Sequence, residues 1–199
     1  MSMIKVLLLM CFFLSFNMLA IAQINQALKP TSYEEAYKLA YDLVHHNTDE
    51  ALKVIKYIYN LKIPVKDDDI YFVNSIAALA LRPIYREIEI GKNLSEKVVA
   101  IKSNDFQSNA ILYSLALMEK NAEKAKKYAH NLIEADYRSY MEMMEPASHS
   151  SIPIVRNYTD SMINLYKDIY NFLLEQGDDV KAKKVILIVN EINKLKTNK

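Results

Sequence analysis

Residues 141–153 read MEMMEPASHSSIP, with three methionines and a histidine in one short stretch. Thioether sulfur and imidazole nitrogen suit Cu(I), so Met141, Met144 and His149 are the first residues in the chain that could do chemistry. On a helix Met141, Met144 and Glu145 share a face, while Glu142 and Met143 point partly away. The same geometry describes an ordinary last turn with methionine in the core. Pro146 and Pro153 enclose Ala147-Ser148-His149-Ser150-Ser151, which is the composition of a connector. We read 145–156 as a connector between helical pieces, with a soft-metal or small-molecule site at Met141, Met144 and His149 as the alternative.

The other reactive residue types converge less. His45 and His46 are adjacent, and neighbours on a helix point about 100° apart, so they share no ligand face. His130 has Glu134 four residues on, a spacing common on solvated faces, and the HEXXH metal motif is absent. Asp67-Asp68-Asp69 suits the positive end of a helix and lacks the alternating acids, glycine and distal glutamate of a calcium loop. No nucleophile elbow, phosphate loop or dinucleotide fingerprint occurs. Ser148, Ser150 and Ser151 lie beside His149, but adjacency in sequence does not make a triad. No catalytic residue and no cofactor is expected.

The first residues, MSMIKVLLLMCFFLSFNMLAIAQ, carry one lysine, an apolar run and Ala20-Ile21-Ala22. That order predicts a signal peptide over 1–22, cut after Ala22, and hence an exported, periplasmic or secreted protein. An uncleaved anchor helix is the alternative. Cleavage would remove Cys11, the only cysteine, so packing alone must hold the mature chain. It would also remove Lys5, leaving 24 basic residues against 24 acidic ones. A neutral balance does not point to nucleic acid. No stable membrane span is expected after cleavage.

Two glycines and five prolines punctuate a chain rich in helix formers, which predicts an all-α protein. Thr31-Ser32-Tyr33-Glu34 reads as a capping box that opens a helix. Its apolar face runs through Tyr33, Ala36, Tyr37, Ala40, Tyr41 and Val44. Ala51, Leu52, Ile55, Ile58 and Tyr59 form a second stripe, closing a hairpin over 31–62. A helix after the three aspartates should stop near Pro83, followed by a short helix from about Asn93, after Gly91, to Lys102, making a hairpin over about 67–102. Hairpins are further predicted over 104–136 and 156–196, with a helical piece from Tyr137 to about Met144 between them. The final KLKTNK should fray. The domain expected is a single one, over 23–199.

Three hairpin turns are alike: HNTDEA, KNAEKA and GDDVKA, ending at Ala51, Ala125 and Ala182. Apolar residues follow each alanine at the third, fourth and seventh positions: Val54, Ile55 and Ile58; Tyr128, Ala129 and Leu132; Val185, Ile186 and Val189. In this the chain resembles the tetratricopeptide family of helical repeats over 104–136 and 158–192, more loosely over 31–61. That family places Gly-Asp or Gly-Asn before an acidic residue and a buried alanine, as Gly177-Asp178 and Ala182 stand here. Lys120 replaces the glycine in the second turn, Tyr113 and Tyr170 fall where the family has small residues, and the turns are 74 and 57 residues apart where the family repeats at 34. The resemblance implies a stack of antiparallel hairpins, as a tetratricopeptide-like solenoid or an irregular bundle, and a role in binding a protein or peptide. Helical-repeat grooves often use aromatic rings with a polar tip. Phe106, Tyr113, Tyr137, Tyr140, Tyr166 and Tyr170 are the candidates for such a groove.

Overall fold

The computed structural model describes residues 29–148 and 158–197. The predicted signal peptide, Cys11, His149 and the connector beyond Ser148 lie outside the described residues, Arg156 included. Among the described residues there are nine α-helices and no strand. They are α1 (Tyr33–Leu43), α2 (Thr48–Asn60), α3 (Ile70–Ala80), α4 (Ile88–Ile101), α5 (Phe106–Met118), α6 (Ala122–Ile133), α7 (Tyr137–Ser148), α8 (Tyr158–Glu175) and α9 (Asp179–Thr197). The chain is all-α.

Contacts divide the chain between Ile90 and Gly91 into two compact units, where a single domain was expected. In the first unit α1 and α2 form a hairpin, and α3 packs chiefly on α1. Ser32 caps α1, its hydroxyl accepting the Glu35 N–H at 3.2 Å. The residue that reaches back is Glu35, one place later than expected: its carboxylate accepts from the Thr31 N–H and hydroxyl at 2.8 and 2.9 Å. Glu34 instead holds Lys38 at 2.6 Å. The core comprises Tyr33, Ala36 and Ala40 of α1 with Val44 just past its end, Ala51, Val54, Ile55 and Ile58 of α2, and Val73, Ile76, Ala77 and Ala80 of α3. The Tyr33 hydroxyl donates to the Ile63 carbonyl at 2.8 Å, pinning the chain that leaves α2.

Asp67–Asp69 form a short 3-10 turn ahead of α3, and α3 ends at Ala80, ahead of Pro83 as expected. α4 begins earlier than predicted, at Ile88, so Gly91 lies inside it. Its buried apolar residues Ile90, Leu94 and Val98 recur every fourth position, enough to carry one glycine, which costs a helix about 1 kcal/mol.

In the second unit α5 pairs with α6 and α8 with α9, and α6 also packs against both α8 and α9. The two hairpin turns have one construction. The N–H groups of Asn121 and Asp178 bond the carbonyls of Ala116 and Leu173 at 2.9 and 2.8 Å, while those of Lys120 and Gly177 bond Leu117 and Leu174 at 3.0 Å. This is a Schellman closure, with Lys120 at φ 55° and Gly177 at φ 70°. The same Asn121 and Asp178 then cap the next helix, their side chains accepting from the N–H of Lys124 and Lys181 at 3.0 and 3.3 Å. Asn47 caps α2 in the same manner, accepting from Glu50 N–H at 3.2 Å, but through a turn without positive φ.

Ala51, Ala125 and Ala182 are all fully buried, as the repeat required. The third hairpin departs from the pattern further on. Ile186 is 42% exposed and the buried stripe of α9 is Ala182, Val185, Ile188 and Ile192. α9 also stays helical to Thr197 where fraying was expected. α7 likewise runs through Pro146 to Ser148, about four residues past the predicted end near Met144. A proline in the last turn forfeits one backbone bond without breaking a long ladder behind it.

Candidate partner-binding surface

The six aromatic residues expected to line a groove do come together, but as core. Phe106, Tyr113, Tyr137 and Tyr166 are buried in the central cluster of the second unit, and only Tyr140 and Tyr170 are half-buried at its edge. Phe106 lies 4.7 Å from Tyr140 and 6.2 Å from Tyr166, ring centre to ring centre; Tyr137 meets Tyr166 edge-on at 6.1 Å. Tyr166 donates to the Leu132 carbonyl at 3.0 Å, so α8 is tied to α6 at its centre. Burial first, then the nearby Tyr137, pushes its phenol well above the usual range. Tyr113 stacks edge-on against Phe172 at 5.8 Å, and burial pushes its phenol up to about 12. The Tyr137 hydroxyl donates to the Glu191 carboxylate, to which Arg138 also donates at 3.0 Å. These bonds hold Glu191 below its ordinary pKa, that from Tyr137 most of all. Four of the six are therefore withdrawn as an open groove: Tyr137 and Tyr166 bury their rings and still bond their hydroxyls, whereas the buried Tyr113 hydroxyl has no hydrogen-bond partner among the described residues.

The polar interior of this unit is structural. Asn109 is fully buried, donating to the Ser103 and Asp105 carbonyls at 2.9 and 2.6 Å and accepting from Asn131 at 2.9 Å. A satisfied buried amide of this kind fixes how α5 meets α6. The copper alternative gains no assembled ligand set. Met141 packs half-buried against the core, the Met144 side chain and His149 lie outside the described residues, and among the described residues no three His, Cys, Asp or Glu side chains gather as metal ligands.

An exposed aromatic surface does exist, in the first unit. α1 presents Tyr37 and Tyr41 one turn apart, His45 follows in the turn after it, and α3 brings Tyr71 and Phe72 beside them. Tyr37 lies 5.7 Å from Tyr41, 5.9 Å from Tyr71 and 6.1 Å from Phe72; Tyr71 and Phe72 are 5.3 Å apart, and Tyr41 meets His45 edge-on at 5.7 Å. Aromatic pairs in direct contact have centroids about 4.5–7 Å apart, so the rings touch one another and leave no slot between them. They form a face, not a cage. Tyr41 and Tyr71 remain 44% and 43% exposed. Burial, followed by the neighbouring Tyr71 and Tyr41, pushes the Tyr37 phenol up to about 12, so its hydroxyl stays a neutral donor at physiological pH.

Half of this face was visible in the sequence as the stripe Tyr33, Tyr37 and Tyr41, where the structure buries Tyr33 and turns Tyr41 outward. The other half was missed. Tyr71 falls off the buried stripe Val73, Ile76, Ala77 and Ala80, and a large ring away from the core-facing stripe was the available signal.

Among the described residues no helix is long and apolar enough to cross a membrane. No protein-family model, curated protein or solved structure matches the chain.

Proposed function

We propose that this is an exported protein- or peptide-binding module of tetratricopeptide-like hairpins, without catalytic activity of its own, whose partner seats on Tyr37, Tyr41, Tyr71 and Phe72. The single observation that carries this reading is that contiguous aromatic face. Tyrosine contributes contact area with little side-chain entropy to lose, and interface hot spots are enriched in it. The rings already brace one another, so little ordering remains to be done on binding. The duplicated turns at Lys120 and Gly177, each followed by a capping residue and a buried alanine, support the repeat resemblance that motivates a binding role. Fold alone does not assign function.

The test is affinity capture from the native host's envelope and secreted fractions, with the full chain and its Tyr41→Ser/Tyr71→Ser variant as paired baits of equal melting temperature. A partner held by the first and lost by the second supports the reading. Identical captures, or none by either bait, count against it.

A further inference from the structure

Within the second unit α7 is attached differently from the helices around it. α5 pairs with α6 and α8 with α9, and α6 packs on both α8 and α9; among the described residues α7 makes no such close backbone pairing. Its attachment runs through side chains. Tyr140 lies against Phe106 of α5, with ring centres 4.7 Å apart, and Tyr137 meets Tyr166 of α8 edge-on. Met141, one turn on from Tyr137, packs half-buried against the same cluster. The Tyr137 hydroxyl and the Arg138 guanidinium both donate to the Glu191 carboxylate of α9, a clasp on the first turn of α7.

The two sides of the joint between α6 and α7 are held separately. Glu134, just past α6, is tied to α9 through Lys181 and Lys184 at 3.2 and 3.4 Å. Asp136 instead caps α7, its carboxylate accepting from the Ser139 N–H and hydroxyl at 3.1 and 2.6 Å, so the helix carries its own cap. Ala135 alone separates them. Tyr166 is bonded to the Leu132 carbonyl of α6, without help from α7. We infer that α7 is a lid, hinged at Ala135 and closed by Glu191, whose opening uncovers the Phe106 and Tyr166 rings while the α5–α6 and α8–α9 hairpins stay folded. Hinges of this kind are a few residues at the ends of elements. The Arg138 and Glu191 side chains remain 63% and 47% exposed, and a clasp with that much water around it contributes little. An element held by few buried contacts opens locally, well below the cost of unfolding the whole. The lid belongs to the second unit and does not depend on what seats on the aromatic face of the first.

The experiment is native-state hydrogen exchange, read by mass spectrometry on the full-length protein. Amides of 141–145, beyond the first turn of α7, should exchange at least about tenfold faster than those of α6 and α8, and slower than a free peptide of the same sequence. The Tyr137→Phe/Arg138→Gln variant keeps the ring and removes both donors of the clasp. It should speed α7 exchange by at least about threefold, as loss of partly exposed hydrogen bonds to a carboxylate would, and leave α6 and α8 unchanged. Hydroxyl-radical labelling of Phe106 should rise in step. In the wild type alone, α7 amides as protected as those of α6 and α8, or as open as the free peptide, overturn the lid. So do a rise shared equally by α6, α7 and α8 in the variant, no rise at all, or faster α7 exchange with Phe106 labelling unchanged.

Discussion

Lys120 and Gly177 occupy the same place in two turns of the same kind, with φ of 55° and 70°. Only glycine adopts that conformation without cost; another residue there is strained by about 1 kcal/mol. Lys120→Gly should therefore raise stability by about 1 kcal/mol. Gly177→Ala should lower it by a similar amount from backbone strain alone, because nothing lies within 4 Å of the added methyl. Chemical denaturation of both variants checks the pair, and a destabilised Lys120→Gly would argue against a shared turn.

The buried alanines make a second test of the repeat. Ala51, Ala125 and Ala182 are each fully enclosed where two helices of a hairpin approach. Enlarging any of them to leucine should cost about 1–3 kcal/mol through overpacking. Ala78, exposed on α3, should accept leucine with a change of at most about 0.5 kcal/mol.

Acid should weaken the junction between α6 and α9. His130 Nε2 lies 2.8 Å from Asp178 Oδ2, and Lys126 stands 3.6 Å from the same oxygen. Burial raises the Asp178 pKa, but the His130 hydrogen bond, the Lys181 N–H and the charges of His130 and Lys126 outweigh it and hold it below its ordinary value. A depressed carboxylate stabilises the fold above its unfolded pKa of about 3.9, and that contribution is lost as pH falls through the folded value. Asp178→Asn keeps the capping oxygen and removes the charge. In thermal melts from pH 6 to pH 3, the variant should be less stable than the wild type near neutrality, and the difference should shrink toward pH 3. Parallel curves would show that the pair contributes nothing.

Core and surface tyrosines should separate cleanly. Tyr166 is fully buried and bonded to Leu132, so Tyr166→Ala should cost about 3–5 kcal/mol, as large core truncations do. Tyr41→Ser should change stability by no more than about 1 kcal/mol. Comparable losses would mean that the outer rings are structural, leaving no ready face for a partner.

Much of the helical layout is legible in the sequence because caps and apolar spacing are local. Asn121, Asp178 and the buried alanines follow directly from three similar turns. The start of α4 was obscured because Gly91 suggests a boundary when its neighbours' burial is unseen. Which tyrosines face outward is less legible. Tyr33 and Tyr41 sit on one stripe, eight residues apart, yet one is buried and the other exposed. Eight residues of an α-helix overshoot two full turns by about 80°, and the placement of α3 decides which edge of α1 is covered. The face joins α1 to α3 across residues some thirty positions apart, so no local pattern announces it.

The most direct measurement places a photo-crosslinking p-benzoylphenylalanine at the position of Tyr71 and, in a separate protein, at that of Leu187, which is 64% exposed on α9. Both are irradiated in the native host's envelope and secreted fractions. A discrete protein adduct from position 71, absent from position 187, is the predicted result. No adduct at position 71, or the same adducts at both, would contradict a partner seated on the aromatic face.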